Sequence, residues 1–169
     1  MPLLPEVARW AITALLTAAL AVAAVNDVKA RKIPNWTVLA VLVLALPWLA
    51  LHPLVWDGWA LLAGAIAFGV TFGLYSLGVL GAGDSKLFTA VALFPGLGHL
   101  PLLAFAVALV GGLIALASLV ARPTRALVML NLKGKGDFGR GIPYGVAIAA
   151  GGVLVMWGAL LVPGLGGLA

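Results

Sequence analysis

The chain of 169 residues contains no cysteine. That excludes disulfides, a thiol nucleophile and Cys-ligated zinc. Histidine is nearly as scarce: His52 and His99 stand alone, without the spacing of a metal site, so no metal is expected. Charge is short as well, at 9% of residues, where a soluble domain carries about 25%. Hydrophobic residues make up 64%, well above the usual figure of about 45–50%. A chain so poor in polar surface cannot cover itself in water and belongs in a bilayer. The net charge of +5 is too small and too scattered to argue for a nucleic-acid partner. The start, Met1-Pro2-Leu3-Leu4-Pro5-Glu6, has no basic stretch, and the apolar run beginning near Val7 is long enough to span, so a signal peptide is not expected.

What the sequence does have is a succession of apolar segments. A spanning helix needs about 20 such residues. The expected segments run from Pro5 to Asn26, Asn35 to Leu51 (with Pro47 inside), Gly58 to Leu80, Ser85 to Leu97, Pro101 to Val120 and Pro143 to Val162. The predicted fold is all-α, a polytopic bundle of about six transmembrane helices filling residues 1–169 as a single integral-membrane domain. The fourth segment is short enough to be tilted, half-inserted or shielded by its neighbours. Gly64, Gly69 and Gly73 in the third segment suit close helix packing. Tryptophans 10, 36, 48, 56, 59 and 157 fall mostly near segment ends and read as interface anchors.

Basic residues set the expected orientation. Lys29, Arg31 and Lys32 follow the first segment, Lys86 follows the third, and Arg122, Arg125, Lys133, Lys135 and Arg140 follow the fifth. With alternating helices these share one face, and only Arg9 of the ten lies on the other. That face is expected to be cytoplasmic, with both termini outside. The loop from Arg122 to Lys135 also carries the apolar stretch Ala126-Leu127-Val128-Met129-Leu130, which reads equally as a surface-lying segment or a plain connector.

Against this apolar background two aspartates stand out. Asp27 closes the first segment, and Asp84 ends Gly81-Ala82-Gly83-Asp84, just ahead of the fourth. Ionisable groups bordering lipid mark function by default. The plainer reading of Asp84 is a helix N-cap. Asp27 suits a cap poorly, because a helix C-terminus disfavours an anion; its plainer reading is a solvated partner of Lys29, Arg31 or Lys32. Asp84, at a helix N-terminus, is expected to ionise readily. If the two meet, they cannot both ionise cheaply, and the pair owns the titration. Such a pair activates water for acid–base hydrolysis. Gly81 and Gly83 leave room for close approach by another chain. Lys86 reads either as a substrate or tuning residue or as a snorkelling interface lysine. Asp137, in a second G-x-G-D stretch (Gly134-Lys135-Gly136-Asp137), is the rival aspartate, but it sits in a long basic loop. The stretches that deliver Ile33-Pro34 and Ile142-Pro143 echo one another, each leading a proline into a helix start.

Three stretches together resemble the prepilin peptidases, membrane aspartic proteases of the GxGD type. They are Asp27 with Arg31-Lys32-Ile33-Pro34-Asn35, Gly81-Ala82-Gly83-Asp84-Ser85-Lys86-Leu87, and Ile142-Pro143-Tyr144-Gly145-Val146-Ala147-Ile148. The chain looks most like the short form serving Flp-type (tight-adherence) pili. The resemblance implies an endopeptidase of the bacterial cytoplasmic membrane that removes the short basic leader from prepilins. It implies Asp27 and Asp84 as the catalytic pair, with Gly81, Gly83, Lys86, Pro34, Asn35, Pro143 and Tyr144 shaping the site or touching substrate. No cofactor is expected. Cleavage without N-methylation is also expected, since the cysteine cluster of the longer forms is missing. Two other readings remain at this stage: a small proton-coupled transporter, disfavoured because no acidic residue lies mid-segment, and a non-catalytic pilus-assembly factor, disfavoured because both aspartates are present.

Overall fold

The computed structural model describes residues 3–51, 59–121 and 143–161, and among them the regular elements are six helices with no strand. They are α1 (Leu3–Ala30), α2 (Asn35–Leu51), α3 (Trp59–Ser76), α4 (Ala82–Ala92), α5 (Gly96–Ala121) and α6 (Tyr144–Leu161). Four of them contain stretches long and apolar enough to cross a membrane: Pro5–Ala30, Trp59–Ser76, Gly96–Ser118 and Tyr144–Leu161. α2 is apolar throughout at 17 residues, just short of that length. Val70, Leu61, Leu109, Leu113 and Leu154 all point outward. An apolar surface of this extent is stable against lipid and not against water.

α1 runs further than the expected segment, past Asp27 to Ala30. Its buried stripe is Ile12, Leu16, Leu20 and Ala23, and the next position on that helical face is Asp27. The same periodicity that buries the leucines therefore turns the aspartate inward. The helix ends where Arg31 takes φ +53° and its N–H donates to the Asp27 carbonyl at 2.9 Å. A left-handed residue at this place closes the last turn, usually a glycine's task. Ile33-Pro34 then holds the chain extended into α2.

α4 lies at the centre. Its 11 residues extend only about 16 Å, roughly half of a hydrocarbon core of about 30 Å. The helix is tolerable there because α2, α3, α5 and α6 surround it: Ser85, Leu87, Ala90, Val91 and Ala92 are all buried. The fourth segment thus stops before Leu93 and does not reach Leu97. Trp48 fixes the turn that follows, its Nε1 donating to the Phe94 carbonyl at 2.8 Å, and Gly96 at φ +66° starts α5 earlier than Pro101. Trp48 is consequently a core strut and no interface anchor, whereas Trp36 and Trp59 are exposed. Trp10 and Trp157 meet edge to face with ring centroids 5.6 Å apart. Trp56 and His52 lie outside the described residues.

Close helix approach falls mainly on α6. A Cβ on Gly151 would meet Val107 backbone, and one on Gly152 would meet Val91 and Leu20. On α3 only Gly64 packs closely, against Leu93, while Gly69 and Gly73 face open space. The main core cluster draws on all six helices, with Leu16, Leu20, Val41, Leu87, Phe94, Leu103 and Ile148 nearly fully enclosed.

Candidate active site

Three helix ends converge at one end of the bundle: the C-terminus of α1 and the N-termini of α4 and α6. Asp27 comes from the first, is only 6% exposed, and directs its carboxylate at the start of α6. The Gly145 N–H donates to Asp27 Oδ2 at 2.8 Å, with Val146 N–H a second donor. The amides of a first helical turn have no partner within the helix and carry its positive pole. Asp27 thus ends one helix where an anion is disfavoured and docks on another where it is favoured. Gly145 is required for this contact. A Cβ there would lie 2.8 Å from Asp27 Oδ2 and 3.0 Å from Asp27 Cγ.

Asp84 sits in the first turn of α4, whose N-cap is Gly81 and has no side-chain cap bond. It is therefore not the N-cap that its sequence position suggested. Its carboxylate reaches back over Gly81, accepting the Gly81 N–H, and a Cβ on Gly81 would stand 2.7 Å from Asp84 Oδ2. Gly83 has a different neighbour: a Cβ there would lie 3.1 Å from Ile33 Cβ. In this structure the free faces of both glycines are taken up by the protein itself, one by Asp84 and the other by the α1–α2 connection. Neither glycine leaves, between these neighbours, the gap expected for another chain.

Asp84 Oδ1 is buried and has no hydrogen-bond partner among the described residues. The carboxyl is pushed up to about 7, first by burial and next by the charge of Asp27, against the opposing pull of the Gly81 N–H. The expectation of easy ionisation is thus reversed, because desolvation outweighs the helix terminus. The same interaction puts the two aspartates within electrostatic reach of each other.

Behind Asp84 a polar ladder pins α4 to α3. Ser85 Oγ donates to Thr71 Oγ1 at 2.9 Å, and Thr71 Oγ1 donates to the Ala67 carbonyl at 2.7 Å. Lys86 directs its Nζ to Asn35 Oδ1 at 3.3 Å on the exposed side, tying α4 to the start of α2. Pro34 and Pro143 stand immediately before α2 and α6, and their carbonyls accept Thr37 N–H and Val146 N–H, each at 3.1 Å. The two prolines therefore perform the same local task. Tyr144 opens α6 beside Gly145. Asp137, its glycines and the basic loop from Arg122 lie outside the described residues.

The residues not singled out from sequence are Gly145, Thr71 and Ser85. Gly145 stood in the quoted Pro-Tyr-Gly stretch, but nothing local marked it as the partner of an aspartate 118 positions away. The inward face of Asp27 was available from the leucine stripe of α1.

A family model described as the type IV leader peptidase family matches residues 14–116, about three fifths of the chain. The matched span contains both aspartates and stops short of α6. Neither the comparison with curated proteins nor that with solved structures returned a match.

Proposed function

The chain belongs to the type IV leader peptidase family, and from that membership we propose that it is a two-aspartate endopeptidase in which Asp27 and Asp84 act together on a prepilin. The observation that carries the reading is the convergence of two acidic side chains, remote in sequence, each seated against a glycine that leaves no room for a Cβ.

The surroundings suggest a division of labour. Asp27 accepts backbone N–H donors from α6, which equips it to hold negative charge and draw a proton from water. The water oxygen attacks the scissile carbonyl carbon. Asp84, whose Oδ1 has no partner among the described residues and whose pKa is pushed up to about 7, holds the shared proton and delivers it toward the leaving amine. Passage of the new proton from Asp27 to Asp84 restores the single-proton state. The pair shares one titration, as close carboxylates do. Gly81, Gly83, Pro34 and Pro143 fix the backbones around the pair, and Lys86 and Asn35 brace its rim.

The finer reading is a Flp-type prepilin with a short basic leader, cut without N-methylation. Nine of the ten Lys and Arg residues fall on the side of the aspartates in a six-helix alternation, which supports a site facing the cytoplasm. In this reading those charges fix topology or meet anionic lipid and do not attract the leader. Co-expression with a candidate prepilin tests the proposal, leader loss being read on a gel. Asp27→Asn and Asp84→Asn should each abolish cleavage at unchanged protein level, and Asp137→Asn should retain substantial activity. An inactive Asp137→Asn beside an active Asp84→Asn would overturn the assignment.

A further inference from the structure

Among the described residues a positive φ occurs at Gly78 (+73°), Gly96 (+66°) and Arg31 (+53°). Glycine is the ordinary choice in this region, because a Cβ there crowds the neighbouring carbonyl. The chain has 22 glycines, yet the left-handed turn that closes α1 carries an arginine. The backbone gains nothing from that choice. The Arg31 N–H donates to the Asp27 carbonyl at 2.9 Å, and a glycine N–H would do the same with less strain. What glycine would remove is the side chain.

That side chain stands where a cation has work to do. Asp27 is buried at the C-terminal end of α1, the negative pole of its own helix. The Gly145 and Val146 amides offer it donors but no full charge. Arg31 is exposed one turn further on, and its positive charge acts on the Asp27 carboxyl. From the other side Asp84 interacts with the same carboxyl as a like charge. An ionised Asp27 is therefore opposed by one neighbour and supported by the other. Membrane topology does not call for a strained residue here, since Lys29 and Lys32 already place positive charge on this face.

Resting on the peptidase reading above, we infer that Arg31 is a positioning residue for hydrolysis: the left-handed turn brings its charge beside Asp27 and holds Asp27 as the anion that draws the proton from water. The same turn ends α1, so one residue both stops the helix and sets the charge of the acid it carries. The backbone strain persists because the side chain is needed at that place.

Stability and activity should move independently when Arg31 is changed. Single variants are purified in detergent, leader removal is followed as kcat and KM, and thermal unfolding is recorded beside it. Arg31→Gly relieves the strain and should unfold at the parent's temperature or above it, yet lose about five- to tenfold in kcat, the exposed position of the charge keeping the effect moderate. Arg31→Gln keeps the strain without the charge and should lose as much rate. Arg31→Lys keeps both and should stay within about twofold of the parent. Lys32→Gln, which removes a neighbouring charge of the same sign, should match the parent. Parental kcat in both Arg31→Gly and Arg31→Gln would overturn the inference, leaving Arg31 as a helix stop. Arg31→Lys as slow as Arg31→Gln, or Lys32→Gln as slow as either, would overturn it as well. A loss confined to KM would assign Arg31 to the substrate and contradict a role through Asp27. A prepilin left uncut by the parent would instead remove the peptidase reading beneath it.

Discussion

Replacing Gly145 by alanine should separate activity from stability. The added Cβ would stand 2.8 Å from Asp27 Oδ2 and 3.0 Å from both Cβ and Cγ of Asp27. Carbon contacts are comfortable at about 3.5–4.0 Å, so the carboxylate must withdraw by roughly 0.5–1 Å. The hydrogen bond from Gly145 N–H, now 2.8 Å, then lengthens beyond useful range. A hydrogen bond to a charged group contributes about 1.5–3 kcal/mol, and overpacking costs about 1–3 kcal/mol. Alanine returns about 1 kcal/mol through helix propensity. The net loss of stability is then only a few kcal/mol, small enough for the protein to accumulate. Activity is more exposed, because a misplacement of about 1 Å can cost about 100-fold in rate. Leader removal by purified protein in detergent should therefore fall about 10- to 100-fold, mainly in kcat. Gly69→Ala and Gly73→Ala, whose new methyls meet open space, should stay within twofold of the parent. Full activity in Gly145→Ala would refute the argument that α6 positions Asp27.

Thr71→Val strands the buried Ser85 hydroxyl and should destabilise by about 1–3 kcal/mol, whereas the double change Thr71→Val/Ser85→Ala should recover much of that loss, as read by thermal unfolding in detergent. The pH profile follows from Asp84. An acid whose folded pKa, about 7, lies above its unfolded value near 3.9 binds its proton more tightly when folded. Its stability contribution is complete at low pH and is lost as pH rises from about 4 through about 7. Three units would bound the effect at about 4 kcal/mol, and partial exposure reduces it to about 1–2 kcal/mol. Asp84→Asn, though inactive, should consequently unfold later than the parent at pH 8 and alongside it at pH 4. In the active protein kcat/KM should decline on the alkaline side with a midpoint near 7, and a flat profile from pH 5 to 9 would count against a shared proton.

Much of this architecture was legible in the chain. The apolar segments gave the helices and their order, since burial in lipid demands long uninterrupted runs. Boundaries moved where backbone chemistry outside the hydropathy pattern decided them. α1 runs past Asp27 until Arg31 in the left-handed region stops it, and the Trp48–Phe94 bond with Gly96 cuts α4 short. The aspartates were conspicuous because charge is rare here, but their partners were not. The docking of Asp27 on α6 depends on tertiary approach, which no local pattern encodes, whereas Asp84 folds back over Gly81 within a single helical turn. The free face of Gly83 is taken up by Ile33 of the α1–α2 connection, an approach that only the folded chain displays. Trp48 was read as an anchor because position along a segment says nothing about which face is inward.

The central claim is that Asp27 and Asp84 occupy one site although they arise from different helices. A chain free of cysteine permits a direct measurement. The double variant Asp27→Cys/Asp84→Cys is treated in membranes with dibromobimane, which becomes strongly fluorescent when it bridges neighbouring thiols. The account predicts fluorescence from the double variant and none from either single variant. Two thiols that each react with a monofunctional maleimide yet never bridge would contradict it.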